Sequence, residues 1–207
     1  MKKLLVLTLG FGLALAARAA APALETRVLS DMNLPGEWQA HQWNKAQGRV
    51  MVRAEFPEEL KTEAGQKRES LGMKISWPGG EGFRFFSIEP AKADPIPFKV
   101  VEASFWLKGS ATAYSIEFHF NDAGGNDVKV GPGAKTDFPG WKKISVKIPA
   151  AWQQPLTVRT ITFHDWSNKE AAEVTMYATR YEVVVDPSEK LGGAAGSAKP
   201  VKTNDTW

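Results

Sequence analysis

The side chains that could do chemistry in this 207-residue chain are few, and their spacing matches no catalytic set. Its three histidines, His41, His119 and His164, are not one helical turn apart as a zinc-binding pair would be, and no Gly-x-Ser-x-Gly turn offers an activated serine. A sandwich could bring distant carboxylates together for glycoside hydrolysis, but no spacing here selects a pair. Gly131-Pro132-Gly133-Ala134-Lys135-Thr136 imitates a phosphate-binding loop. It lacks a glycine directly before the lysine, Pro132 removes one cradling amide, and no helix pattern follows, so it reads as a turn. Asn121, Asp122, Asn126 and Asp127 surround Gly124-Gly125 with four oxygen-bearing side chains. They would suit a weak site for a hard cation such as calcium, or a tight turn; the spacing is not that of an EF-hand loop, and the turn is the preferred reading. The sequence therefore predicts a protein that is not an enzyme, with no cofactor and no metal.

Tryptophan is the anomaly. Eight of them, at 38, 43, 77, 106, 141, 152, 166 and 207, stand beside eleven phenylalanines, more than one β core needs. Trp106 points away from the side that holds Phe105 and Leu107, Trp38, Trp43, Trp152 and Trp166 fall in polar stretches read as loops, and Trp207 ends the sequence. Exposed indole rings stack on flat sugar faces or anchor protein interfaces, whereas loop aromatics in a sandwich also cap the open ends of the core. Trp38, Trp43, Trp106, Trp152, Trp166 and Trp207 are thus the candidate interface or sugar-stacking residues. His119, Asn121, His164 and Asp165 would be the polar readers of a sugar groove.

The elements that must position these residues are strands. Tyr114, Ile116, Phe118 and Phe120 alternate with Ser115, Glu117, His119 and Asn121, and Ile144, Val146 and Ile148 alternate with Ser145 and Lys147. The same period runs through Leu71–Trp77, Val101–Leu107 and Thr157–His164, with further strands over Thr26–Leu29, Gly48–Val52, Phe83–Ile88 and Asn126–Val130. A long last strand, Val174–Val185, should put Tyr177, Thr179, Tyr181, Val183 and Val185 on one face. Eight or nine short strands without a helix pattern predict an all-β fold, an antiparallel sandwich of jelly-roll type like that of carbohydrate-binding modules. An immunoglobulin-like sandwich would lack its cysteine and tryptophan landmarks.

The ends read differently. Lys2-Lys3, the apolar run Leu4–Ala17 and Ala17-Arg18-Ala19 have the three parts of a cleaved export signal, about 19 residues long. The domain is then expected over 20–186, followed by a flexible Gly/Ala-rich tail over 187–207. Loss of Lys2, Lys3 and Arg18 takes 26 basic residues to 23 against 23 acidic ones. A net charge near zero gives no electrostatic case for nucleic acid, and no later run is apolar enough for membrane insertion. Absence of cysteine in an exported chain leans toward the periplasm.

Taken in order, several pieces resemble the FlaA sheath family, the filament outer-layer proteins of spirochaete periplasmic flagella. These are Leu71-Gly-Met-Lys-Ile-Ser-Trp-Pro78, Phe86-Ser-Ile-Glu-Pro90, Phe105-Trp-Leu-Lys-Gly109, Asp122-Ala-Gly-Gly125, Phe138-Pro-Gly-Trp-Lys142 leading to Ile148-Pro149, and an aromatic final strand. The resemblance runs from Leu24 to Val185. It implies a structural subunit that coats a flagellin core beside other sheath proteins in the periplasm and affects filament shape, stiffness and motility, with no catalytic site. The family's last strand carries aspartates after its aromatic residue, where this chain has Tyr177-Ala-Thr-Arg180-Tyr181. An exported carbohydrate-binding module is the alternative, and sugars on a glycosylated filament would reconcile the two.

Overall fold

The structure is a computed structural model that describes residues 23–43, 46–60, 67–80, 82–165 and 170–191. The expected leader, most of the expected tail, Trp166 and Trp207 lie outside these residues.

Two antiparallel sheets face each other. The six-stranded sheet has the order β3 (Gln47–Arg53), β4 (Ser70–Trp77), β11 (Ala172–Lys190), β6 (Phe98–Lys108), β9 (Trp141–Lys147), with β1 (Glu25–Ser30) added to β11. The five-stranded sheet has the order β2 (Trp38–Trp43), β5 (Arg84–Pro90), β10 (Thr157–Asp165), β7 (Ser115–Asn121), β8 (Asp127–Val130). No helix occurs among the described residues. The sandwich expected from the alternation is therefore present, with eleven strands rather than eight or nine.

The inward faces explain why it holds. Phe86 and Ile88 of β5, Ile161 and Phe163 of β10 and Phe118 and Phe120 of β7 meet Met73 and Ile75 of β4, Phe105 and Leu107 of β6 and Ile144 of β9, all essentially removed from water. Each such side chain contributes roughly 1.5–3 kcal/mol of burial. In a chain without disulfides, this core carries the fold. Gly48 shows how tightly β3 closes on it: a Cβ there would stand 2.5 Å from the Phe86 ring, so only glycine lets the strand approach.

Three expectations need correction. The segment around Trp38 is strand β2, not loop: Trp38 and Ala40 turn inward, Gln39 and His41 outward, and the polar residues of this edge strand hid the alternation. The last strand does not keep Tyr177–Val185 on one face. A bulge between Thr179 and Glu182, centred on Arg180 with φ of 52°, shifts the register, so that Val174, Met176 and Ala178 point inward before it and Tyr181, Val183 and Val185 after it. Tyr177 is thereby placed on the outer face. Finally, β11 continues to Lys190, past Asp186, and Leu191 N–H donates to Pro97 C=O at 3.1 Å.

One end of the sandwich is locked by a buried ion pair. Arg84 donates to Asp165 Oδ2 at 2.8 Å and to the carbonyls of Pro78 and Glu170, tying the loops after β4 and before β11 to the start of β5. Trp77 stacks on Tyr114 beneath it, with centroids 4.5 Å apart and planes 16° from parallel. Burial raises the Tyr114 hydroxyl pKa, keeping this stack neutral.

Candidate interaction surfaces

Each sheet presents a distinct outer face. On the six-stranded sheet, pairing aligns Met51, Gly72, Tyr177, Lys108 and Trp141 in one row across five strands, because directly opposed residues share a face. Trp106 stands in the next row, between Thr179 and Lys143. Gly72 is open enough for the Tyr177 ring to lie beside it: a Cβ would sit 3.4 Å from the ring and 3.0 Å from Arg53 Cγ. Lys108 Nζ lies 5.4 Å from the Tyr177 ring centroid and 2.9 Å from Glu55. Glu182, nearly buried, receives Lys143 at 2.7 Å and Arg180 at 2.9 Å. Trp106, Trp141 and Tyr177 are half-buried, so each shows part of a ring on a floor fixed by hydrogen-bonded strands. Rigid rings of this kind offer contact area at low ordering cost.

The outer face of the five-stranded sheet is a cleft of about 270 Å³ with a different chemistry. Glu117 and His119 of β7 stand beside His164 of β10: Glu117 Oε2 is 3.3 Å from His119 Nε2, and Glu117 Oε1 is 3.7 Å from His164 Nε2. His119 Nδ1 in turn lies 3.2 Å from Asp127 Oδ1, and Lys129 closes on Glu117 at 3.5 Å. Arg159 pairs with Asp127 at one side of the cleft, and His41 approaches Glu89 to 3.4 Å at the other. Between them the hydroxyls of Ser87, Thr162 and Thr160 form a bonded chain, with 2.8 and 3.2 Å steps. Phe83 adds an apolar corner, its ring 5.3 Å from Phe85 and 5.7 Å from the His164 ring. Burial lowers the His164 pKa, and Lys129 and His119 push the same way against Glu117 and Asp165. His164 is therefore neutral at pH 7, and the cleft combines hydroxyls, imidazoles and compensated charges suited to hydrogen bonding with a neutral polar ligand.

The sequence candidates separate on this geometry. Trp106 occupies the outer position expected of it. Trp38 does not: it is 3% exposed, its Nε1–H donates to Ser30 Oγ at 2.9 Å, and its ring lies 5.7 Å from Tyr181. It belongs to the core, because a strand rather than a loop carries it. Trp152 packs against Phe120 at 6.0 Å and caps the open end of the core, as a loop aromatic can. Trp43 lies on β2, but its side chain is outside the described set, as are Trp166 and Trp207 entirely. Among the polar readers, His119 and His164 line or border the cleft, whereas Asp165 is committed to Arg84 and Asn121 closes β7 opposite Asp127.

The Asp122 hairpin is a turn built from its own side chains. Asp122 Oδ1 accepts the N–H groups of Gly124 and Asn126, both at 2.9 Å, and Asn126 Nδ2 donates to both carboxylate oxygens at 3.1 Å. These bonds, led by the Asn126 side chain, lower the Asp122 pKa. Asp127 is engaged with His119 and Arg159, so the four oxygen donors do not converge. No metal-binding group of three acidic, His or Cys residues occurs among the described residues. The Gly131–Thr136 loop is likewise a turn, its Thr136 buried and bonding Thr112 C=O at 2.6 Å and Tyr114 N–H at 3.0 Å.

The class defined by this geometry is an antiparallel β-sandwich of jelly-roll type with two differently furnished outer faces. No protein-family model matches the chain. It is similar to a Brachyspira hyodysenteriae protein whose name calls it flagellar filament outer layer-like, with 28% identity over 134 residues, 64% of this chain and 61% of that protein. The chain thus matches about three-fifths of that relative's length. Among solved structures it is similar to the family 11 carbohydrate-binding module of a cellulosomal cellulase of Clostridium thermocellum, at 14% identity and a TM-score of 0.45, covering 79% of this chain and 96% of the module. A family 29 carbohydrate-binding module from Piromyces equi has 9% identity and a TM-score of 0.46, covering 79% of this chain and 91% of the module.

Proposed function

We propose that this protein is a non-catalytic structural subunit of the outer layer of a periplasmic flagellar filament, of the FlaA sheath type. The observation that carries the proposal is the 28% identity over 134 residues to the Brachyspira hyodysenteriae protein named as filament outer layer-like. The export signal expected over 1–19 would deliver the chain to the periplasm, where flagellin core subunits and other sheath proteins are its partners. Its mechanism is repeated rigid contact. Trp106, Trp141 and Tyr177 act as anchors on a hydrogen-bonded floor, and Lys143 and Lys108, paired to Glu182 and Glu55, surround them with charge that stays open to water. Periplasmic flagella purified from cells that make the protein should contain it in amounts comparable to flagellin by quantitative mass spectrometry. Its consistent absence from washed filaments would end the proposal.

A second reading is supported by the cleft on the other sheet. The rings of Phe83 and Phe85, the Ser87–Thr162–Thr160 hydroxyl chain and the imidazoles of His119 and His164 are the materials of an oligosaccharide site. Calorimetric titration against a panel of neutral glycans tests it: saturable binding that survives Trp106→Ala and is lost in Thr162→Val places the sugar in this cleft. A flat titration across the panel removes the reading and leaves the filament proposal standing.

A further inference from the structure

We infer that β1 is a dimerisation edge, through which two copies of this chain pair antiparallel about Thr26. β1 hydrogen-bonds to β11 on one side, and no strand pairs with its other side among the described residues. A row of open N–H and C=O groups is a template for another strand, and proteins that do not use such an edge blunt it with charge. The other edges carry charge to different degrees, and β2 carries no acidic, lysine or arginine residue. β3 carries Arg49 and Arg53, β8 carries Asp127 and Lys129, and β9 carries Lys142, Lys143 and Lys147.

β1 is different. Leu24, Val28, Leu29 and Leu34, in and beside it, are 56, 43, 41 and 62% exposed, and they are the large apolar side chains left exposed among the described residues. Its charges are one of each sign: Arg27 reaches Glu25 through two bonds at 3.2 and 3.0 Å while lying 3.9 Å over the Phe98 ring. The strand shows no repulsion toward a copy of itself.

The occupant follows from the order of residues. If two β1 strands run antiparallel with Thr26 opposite Thr26, then Leu24 faces Val28 and Glu25 faces Arg27 on each side of the two-fold axis. Leu24, Thr26 and Val28 share the outer face, since Thr26 and Val28 pair with Val184 and Glu182, while Glu25 and Arg27 share the other with Val185 and Val183. One face of the junction thus gains two apolar pairs, and the other gains crosswise ion pairs from groups already held in place. This is the self-complementary pattern a two-fold interface requires. It fuses the two six-stranded sheets into one continuous sheet and leaves both aromatic faces open to other partners.

Because the chain has no cysteine, a single engineered one reports the contact directly. Residues directly opposed in an antiparallel pair have Cα atoms about 4.5–5.5 Å apart, within the range a disulfide spans. In the purified full-length protein, sedimentation equilibrium should show a monomer–dimer equilibrium. Thr26→Cys should oxidise to a covalent dimer roughly tenfold faster than Thr175→Cys, an exposed site on β11 away from the junction. Val28→Lys, at a solvent-exposed site, should raise the dimer Kd by roughly tenfold or more with an unchanged thermal midpoint. The inference is overturned by a protein that stays monomeric up to about 0.5 mM, by equal cross-linking rates of the two cysteine variants, or by a dimer that Val28→Lys does not weaken. None of these outcomes depends on whether flagella contain the protein.

Discussion

The two outer faces of the sandwich solve opposite problems with the same strand geometry. On the six-stranded sheet, half-buried rings at 106, 141 and 177 lie among ion pairs whose lysines remain open to water, as in Lys143–Glu182, where the lysine side chain is 40% exposed. On the five-stranded sheet the two imidazoles are drawn inward, while Lys129, Arg159 and Asp127 stay exposed at the margin of the cleft. The His119 and His164 side chains are 14 and 10% exposed, and on the inner side of the same sheet, at one end of the sandwich, the Arg84–Asp165 pair is almost fully buried. The difference teaches where each face can tolerate change: the first relies on shape and the second on satisfied polar contacts.

The largest expected effect belongs to the buried end of the five-stranded sheet, in Asp165→Ala. It leaves Arg84 buried without its carboxylate, and urea unfolding should show a loss of about 3–5 kcal/mol. Lys143→Ala, which breaks an ion pair of the open face, should cost less than about 1 kcal/mol. Equal losses would mean that the buried end of the five-stranded sheet and the open face of the six-stranded one do not differ in the way described. Smaller in its effect on stability is Trp106→Ala. It should leave the unfolding free energy within roughly 1 kcal/mol while reducing retention on purified filaments about tenfold, and His119→Ala should leave retention unchanged. A reversed result would place the proposed filament contact in the cleft.

The smallest effect concerns pH. The folded pKa of His164 lies below its ordinary value of 6.5 because burial disfavours the imidazolium. Below pH 6.5 the unfolded chain takes up a proton that the folded one refuses, so the contribution of this group is complete above that pH and is lost as pH falls toward the folded pKa. Thermal midpoints measured from pH 7.5 to 5 should therefore decline more steeply for the native protein than for His164→Gln. Parallel curves would show that the cleft does not desolvate this residue.

Much of this division was legible in the residue order. The alternation of Ile and Phe marked the inner faces of β4, β6, β7, β9 and β10, and it placed Trp106 outside because Phe105 and Leu107 had to be inside. Edges were harder. β2 has one large inward ring followed by small and polar residues, which hides its period and makes Trp38 read as a loop aromatic. The bulge at Arg180 defeated the reading of β11 for a related reason: a single residue of left-handed backbone exchanges inside for outside, and no side-chain pattern announces it.

The cleft was half visible. Period-2 spacing puts Glu117 and His119 on the same outward face, and His119 and His164 were already candidates as polar readers. The neighbours that give them meaning come from elsewhere: Lys129 from β8, Arg159 from five positions back on β10, and Phe83 from the loop before β5. Only the cross-strand register, with His164 opposite Ser115 and Thr162 opposite Glu117, brings them together. Trp141 and Tyr177 were missed as surface groups in the same way, since their row exists only once β9, β6, β11 and β4 are aligned.

The place of β11 has a consequence for how the molecule comes into being. The last strand in the chain lies between β4 and β6 and also carries β1, so three strands made earlier lack a neighbour until residues 172–190 have emerged. Contacts that join the two ends of a chain are slow to form, and a sheet missing its middle strand cannot close. The six-stranded sheet therefore stays incomplete through nearly all of synthesis, which delays the closed form that a narrow pore could not thread.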